Sequence, residues 1–407
     1  LLRPYVLLLA RELKPHTEAY AEIWLDGEKA ISFHAPENAT SPVDTGDAAE
    51  PLYGATFLPR KFKIGFAFEG DNSTDIYSHD LGFVPHYREG RIEGFTLLAG
   101  GGLGQSNGVK ASFTRLADEV GYIPADELLT AAKVVVSIHR DFGNRENRKI
   151  ARLKYVLAAR GLDWFRAEMS QRLGHPLAPP RPLEWTRQSD YLGWHAGTEG
   201  TWFYGLRVIS GRIQTNVRRA VREIVETLKP REVRFTAQQN LLFTHLSESA
   251  KGTLEEILKR HSVALPQELP PILRQSMACP ALPTCGQALA ESERVLPEMV
   301  AGIQAEFDRL GLGSEEVVLR MTGCPNGCAR PYTAEIGIVG QSPGLYSIYL
   351  GGSPVATRLA TLYSHNIKQA ALPETLRPLL EKFATERAAG EAFGDYWART
   401  QRQEVAQ

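Results

Sequence analysis

Phe62, Ile64, Phe66 and Phe68 alternate with Lys61, Lys63, Gly65 and Ala67, a period of two that predicts a strand over 62–68. A second apolar run, 95–98, predicts another strand, while 125–136 and 145–160 carry the spacing of helices. A Pro-rich break at 176–182 closes this first α/β segment. Beyond it, 202–209 reads as a strand ended by Ser210-Gly211, and Val217, Val221, Ile224, Val225 and Leu228 follow at helical spacing. Residues 233–236 and 241–245 flank the polar turn Gln238-Gln239-Asn240, and Leu254, Ile257 and Leu258 line a further helix. The order β-α-β-β-α is that of a ferredoxin-like half. After a second break at 266–271, the stretch Leu345-Tyr346-Ser347-Ile348-Tyr349-Leu350-Gly351-Gly352 echoes Gly94-Phe95-Thr96-Leu97-Leu98-Ala99-Gly100-Gly101, an apolar strand running into a glycine turn each time. The expected architecture is mixed α/β (α+β), with two similar lobes, 1–177 and 269–407, separated by a ferredoxin-like half-domain at 178–268.

A chain of 407 residues exceeds what one core usually organises, in keeping with this division. Hydrophobic residues at 43% and charged residues at 23% describe a globular protein rather than a disordered one. Lys plus Arg number 46 against 47 Asp plus Glu, so no global basic field points to nucleic acid or an anionic membrane. The longest apolar run near the start, 5–10, is too short to span a bilayer and lacks a cleavage site. A soluble intracellular protein is expected, cytoplasmic or, in a eukaryote, plastid. The chain opens on Leu1 directly into a structured pattern, so further residues are expected upstream.

All four cysteines fall in the last segment, as C-x5-C at Cys279 and Cys285 and C-x3-C at Cys324 and Cys328. Four clustered thiolates suit zinc or an iron–sulfur cluster. The first spacing is wide for zinc, and Gly323, Pro325, Asn326 and Gly327 supply backbone able to bend and aim N–H groups at sulfur, so a cluster is favoured over a zinc-stabilised structural module. Elsewhere, Lys61 and Lys63 sit at i and i+2 of the predicted strand, two ammonium groups on one face that suit an anion or a solvated edge. Arg145, Arg148 and Arg152 share one face of the predicted 145–160 helix. Gly104-Gln105-Ser106-Asn107-Gly108 has the form of a nucleophile elbow without His or oxyanion partners, Gly102-Leu103-Gly104 lacks the third glycine of a dinucleotide fingerprint, and the histidines show no metal-binding spacing.

The segments Ser276-Met277-Ala278-Cys279-Pro280-Ala281-Leu282-Pro283-Thr284-Cys285 and Thr322-Gly323-Cys324-Pro325-Asn326-Gly327-Cys328-Ala329-Arg330-Pro331-Tyr332 resemble the two signatures of the assimilatory sulfite reductase hemoproteins. Residues 21–26, 58–63, 100–102 and 393–396 extend the resemblance over nearly the whole chain. It implies that Cys279, Cys285, Cys324 and Cys328 hold a 4Fe-4S cluster, that Cys328 also bridges to the iron of siroheme, and that Asn326 lies with it at the cofactor. It further implies that Lys61 and Lys63 face bound sulfite as binding and proton-donating groups, and that Arg152, with Arg148, meets siroheme carboxylates. The implied activity is the six-electron reduction of sulfite to sulfide, with a ferredoxin-nitrite reductase as the alternative. No flavin or nicotinamide motif is present, so the resemblance implies a separate electron-donor protein. Residues 191–195 and 205–206 favour ferredoxin over an NADPH flavoprotein. The family carries a first ferredoxin-like half upstream, and the 235–240 turn resembles its second copy, with Gln in place of Arg.

Overall fold

The computed structural model describes residues 1–16, 23–25, 28–31, 45–46 and 49–406; of the resemblance at 21–26, only Ile23–Leu25 lies within them. The chain divides into two compact units, one of Leu1–Asp71, Asp75–Gly102 and Val109–Trp185, the other of Asn72–Thr74, Leu103–Gly108 and Thr186–Gln407. No helix among the described residues is long and apolar enough to cross a membrane.

The first unit is built on a four-stranded sheet. Ile64–Phe66 runs parallel to Leu81–Arg88, which pairs antiparallel with Arg91–Ala99, and that strand in turn with Asp118–Pro124. Phe83 and Phe95 are fully buried with ring centroids 6.0 Å apart, and Phe66 packs on both. Burying each such ring contributes about 2–3 kcal/mol. The Leu128–Phe142 helix covers the sheet with ten buried residues, as its apolar spacing predicts.

Two expectations change here. The first strand is only Ile64–Phe66, so Lys61 and Lys63 precede it, although the alternation continues: Phe62 packs on His139 while both lysines are exposed. The 145–160 segment is not one helix. The Asn144 side chain accepts the N–H groups of Glu146 and Asn147, and the Asn147 side chain that of Lys149, so local side-chain bonds displace the helical ladder. A short 3-10 turn at Arg148–Ile150 is followed by a helix only at Leu153–Arg160. Arg145, Arg148 and Arg152 therefore share no helical face. Arg145 instead donates to the carbonyls of Thr56, Phe57 and Arg140.

The second unit contains the predicted β-α-β-β-α segment. Its sheet runs in the order Glu232–Phe235, Leu241–Leu246, Trp202–Leu206, Gly193–Ala196, with the Thr215–Leu228 and Ala250–Arg260 helices sharing its core. A further five-stranded sheet repeats the pattern of the first unit. Leu319–Thr322 is parallel to Ile336–Ser342, followed by antiparallel Leu345–Leu350 and Thr361–Lys368, with Met277–Ala278 added at the edge. The echo seen in the sequence has the same register in both sheets. Gly100 and Gly101 donate to the carbonyls of Asp80 and His79, and Gly351 and Gly352 to those of Glu335 and Ala334. Each sheet also buries a carboxylate at the equivalent place: Asp80 accepts the N–H of Lys63, Glu335 that of Val318.

Candidate cofactor and substrate site

The Met277–Ala278 edge strand delivers Cys279 beside the Leu319–Thr322 strand, where its N–H donates to the carbonyl of Met321 at 3.2 Å. The strand then ends in Thr322-Gly323 and turns through Cys324. The Thr322 hydroxyl donates to the Cys324 carbonyl at 3.0 Å, and the Gly323 N–H points at the Cys279 sulfur at 3.3 Å. A side chain at Gly323 would strike Ala281 and the Ala290 carbonyl, both 2.5 Å from its Cβ position, so only glycine lets these two segments meet. Cys285 follows on a turn closed by its N–H to the carbonyl of Ala281 at 2.7 Å.

Cys279 and Cys324 are buried, Cys285 is partly exposed and Cys328 exposed. Burial pushes the Cys279 thiol up, with Cys328 and Cys324 adding to the shift and the Gly323 N–H and Ser292 opposing it. Cys324 is likewise raised by burial, with the Asn326 N–H lowering it and Cys328 and Cys285 raising it. Cys279 is thus coupled to Cys324 and Cys328, and Cys324 to Cys285 and Cys328. Among the described residues no three His, Cys, Asp or Glu side chains stand close enough to share a single metal ion. The donor set is all soft sulfur, with the Gly323 N–H donated to one of the four, which fits a thiolate-held cluster. Asn326 is exposed between the second pair, its side-chain amide donating to Gln287 at 2.9 Å.

In the first unit, Lys61 and Lys63 are exposed, and Lys63 is anchored through its backbone: its N–H donates to Asp80 Oδ2 at 2.9 Å and its carbonyl accepts from Leu81. Arg152 forks onto the same carboxylate, Nη2 to Oδ2 at 2.7 Å and Nε to Oδ1 at 3.2 Å. Arg148 is exposed on its 3-10 turn. Asp80 and Lys154 were missed from the sequence. Lys154 is fully buried, donates to the carbonyls of Gly102 and Phe113, and lies over the Tyr155 ring at 4.9 Å. Burial pushes its ammonium down to about 7, with Arg152 adding to the shift and Asp80 opposing it. In the basic stretch 145–154 nothing in the sequence sets Lys154 apart from the cations that precede it. The 104–108 segment is no nucleophile elbow, since turns rather than a helix follow Ser106.

The second unit thus carries both cysteine segments on a partly parallel sheet together with the ferredoxin-like half. A family model described as the nitrite and sulphite reductase 4Fe-4S domain matches residues 8–177, and one described as the nitrite/sulfite reductase ferredoxin-like half domain matches residues 195–261. The chain is 42% identical over 397 residues to the sulfite reductase [NADPH] hemoprotein beta-component of Chromohalobacter salexigens, covering 96% of this chain and 67% of that protein. Against the same component of Myxococcus xanthus it is 42% identical over 399 residues, covering 97% and 68%. The chain belongs to the sulfite reductase hemoprotein family, whose cofactors are a 4Fe-4S cluster and siroheme. It spans about two thirds of the length of these relatives. The structure of the Mycobacterium tuberculosis NirA protein, 23% identical with a TM-score of 0.70 over 86% of this chain and 66% of that one, shares the fold. The residues matched by the 4Fe-4S model contain no cysteine; all four lie in the second copy of the sheet pattern. The expected preference for ferredoxin finds no support, since these relatives carry NADPH in their names.

Proposed function

We propose that this chain is the hemoprotein of a sulfite reductase that reduces sulfite to sulfide by six electrons, with segments 1–177 and 269–407 as two siroheme-binding lobes and 178–268 as the ferredoxin-like half between them in sequence. Cys279, Cys285, Cys324 and Cys328 hold the 4Fe-4S cluster, and Cys328 also serves the siroheme iron. The cluster supplies electrons one at a time, and siroheme supplies the iron on which sulfite is bound. The observation that carries this reading is the meeting of the two cysteine segments at Gly323, whose N–H donates to the Cys279 sulfur at 3.3 Å and whose lack of a side chain lets Ala281 and Ala290 close on it.

Lys61 and Lys63 attract the sulfite dianion and hold protons at Nζ for the oxygens that leave as water. Arg152 and Arg148 add positive charge for siroheme carboxylates, Arg152 with part of its guanidinium committed to Asp80. Asn326 lies with the cofactor. The donor is an NADPH-oxidising flavoprotein. NADPH gives up electrons in pairs as hydride, so a flavin is needed to pass them singly to a cluster. NADPH and reduced thiols are kept in the cytoplasm, which is where this reading puts the protein.

Iron and acid-labile sulfide in anaerobically purified protein, together with a siroheme absorption spectrum, test the assignment; stoichiometric zinc without sulfide would overturn it. Sulfide production, compared with NADPH plus flavoprotein, reduced ferredoxin, and nitrite in place of sulfite, tests donor and substrate.

A further inference from the structure

The turn between Cys324 and Cys328 is held by groups outside the cysteine signature itself. The Pro325 carbonyl accepts two hydrogen bonds, from the backbone N–H of Gln105 at 2.9 Å and from the Tyr332 hydroxyl at 3.1 Å. A carbonyl offers two lone-pair directions, and both are taken. The peptide unit is planar, so the direction of this carbonyl sets that of the N–H on the same plane, which belongs to Asn326. That N–H opposes the upward shift that burial gives the Cys324 thiol. Close packing restricts the turn further. A Cβ on Gly104 would lie 3.0 Å from the Asn326 carbonyl, and one on Gly327, whose φ is +63°, only 2.8 Å from the Tyr332 ring. Tyr332 is itself 1% exposed and set edge-on against Tyr349, with ring centroids 5.0 Å apart. The Gly104-Gln105 stretch, which as a nucleophile elbow has no use, thus has a place in the fold.

The geometry points to Tyr332 and the Gln105 backbone as positioning residues for the cluster: by fixing the peptide plane between Pro325 and Asn326 they aim an N–H at the Cys324 sulfur and so set the cluster's reduction potential. This rests on the four cysteines holding a 4Fe-4S cluster. N–H donors at sulfur favour the more negative, reduced cluster, so loosening the plane lowers the potential.

Tyr332→Phe keeps the ring and removes the hydroxyl; Gln105→Pro removes the N–H, and Gln105→Ala, which keeps it, is the control. In the purified holoprotein, Tyr332→Phe should retain wild-type iron and sulfide. Its ratio of reduced to oxidised cluster at a fixed applied potential should fall by about three- to tenfold, the size of a weakened hydrogen bond to a charged group, or ~30–60 mV for a one-electron couple. Hydrogen exchange by mass spectrometry on the same full chain should show the Asn326 amide exchanging several-fold faster while residues 336–342 keep wild-type rates. Gln105→Pro should shift both readouts in the same direction and Gln105→Ala neither. A wild-type potential in Tyr332→Phe overturns the proposal, whether or not exchange changes. Iron-free wild-type protein would overturn the cluster assignment itself, and unaltered exchange at Asn326 would then refute the grip on the peptide plane independently.

Discussion

Asp80 and Arg152 form a buried ion pair, Oδ2 to Nη2 at 2.7 Å, with the carboxylate wholly shielded from solvent. The same Oδ2 accepts the N–H of Lys63, so one carboxylate ties together the two cationic segments of the first unit. Removing one partner of such a pair leaves an uncompensated charge and costs about 3–5 kcal/mol. Asp80→Ala should therefore lose roughly that much stability in urea unfolding. Asp80→Asn, which keeps an acceptor for Lys63, should lose less while still releasing Arg152. A stability loss under ~1 kcal/mol in Asp80→Ala would show that the pair holds nothing in place.

Lys61→Met and Lys63→Met each keep an apolar stem and lose the ammonium group. Both side chains are exposed, so the fold should survive. Loss of one positioned proton donor lowers turnover by about 10²- to 10⁴-fold. Sulfite turnover is compared after iron, sulfide and siroheme contents are matched to wild type. Unchanged rates would return both lysines to a solvated edge, where substitutions stay within about 0.5 kcal/mol.

Cys328→Ser should be more damaging than Cys279→Ser. The first removes a thiolate proposed to serve two metal centres, the second a ligand to one. Absorption and electron paramagnetic resonance spectra distinguish them: Cys279→Ser retains siroheme with an altered cluster, while Cys328→Ser loses the coupling between the two. Equal spectra would refute the bridging role of Cys328.

Lys154 makes stability depend on pH. Its ammonium is pushed down to about 7, chiefly by burial, against about 10.4 in an unfolded chain. Between these values the unfolded chain binds the extra proton, so this residue's contribution rises with pH and is lost again as pH falls through 7. Relative to Lys154→Met, wild type should gain roughly 1–3 kcal/mol between pH 7 and 9.5. Urea unfolding of both proteins at the two pH values measures it; a difference independent of pH would place the titration elsewhere.

What was legible in advance had a short range. The alternation at 62–66 placed Lys61 and Lys63 on one side whether or not a strand formed there, because period two needs only extended backbone. The cysteine spacing was local in the same sense, and so were the Gly-Gly turns after Ala99 and Leu350, which the two sheets repeat in register. The 145–160 helix failed because its charge pattern said nothing of Asn144 and Asn147, whose side chains compete for the backbone N–H groups.

The sequence by itself favoured an iron–sulfur cluster over zinc from four thiols at these spacings, and the resemblance of the two cysteine segments to the sulfite reductase hemoproteins named the chemistry. Only the tertiary structure decided how those groups are held. Arg152 meets Asp80 across 72 positions, Lys154 is enclosed by the loops carrying Gly102 and Phe113, and Pro325 is gripped from Gln105 and Tyr332. Periodicity tells which side of an element faces inward. It does not tell which buried polar group will meet which, because that choice follows from how whole sheets and loops pack, and burial then makes each unmade hydrogen bond costly.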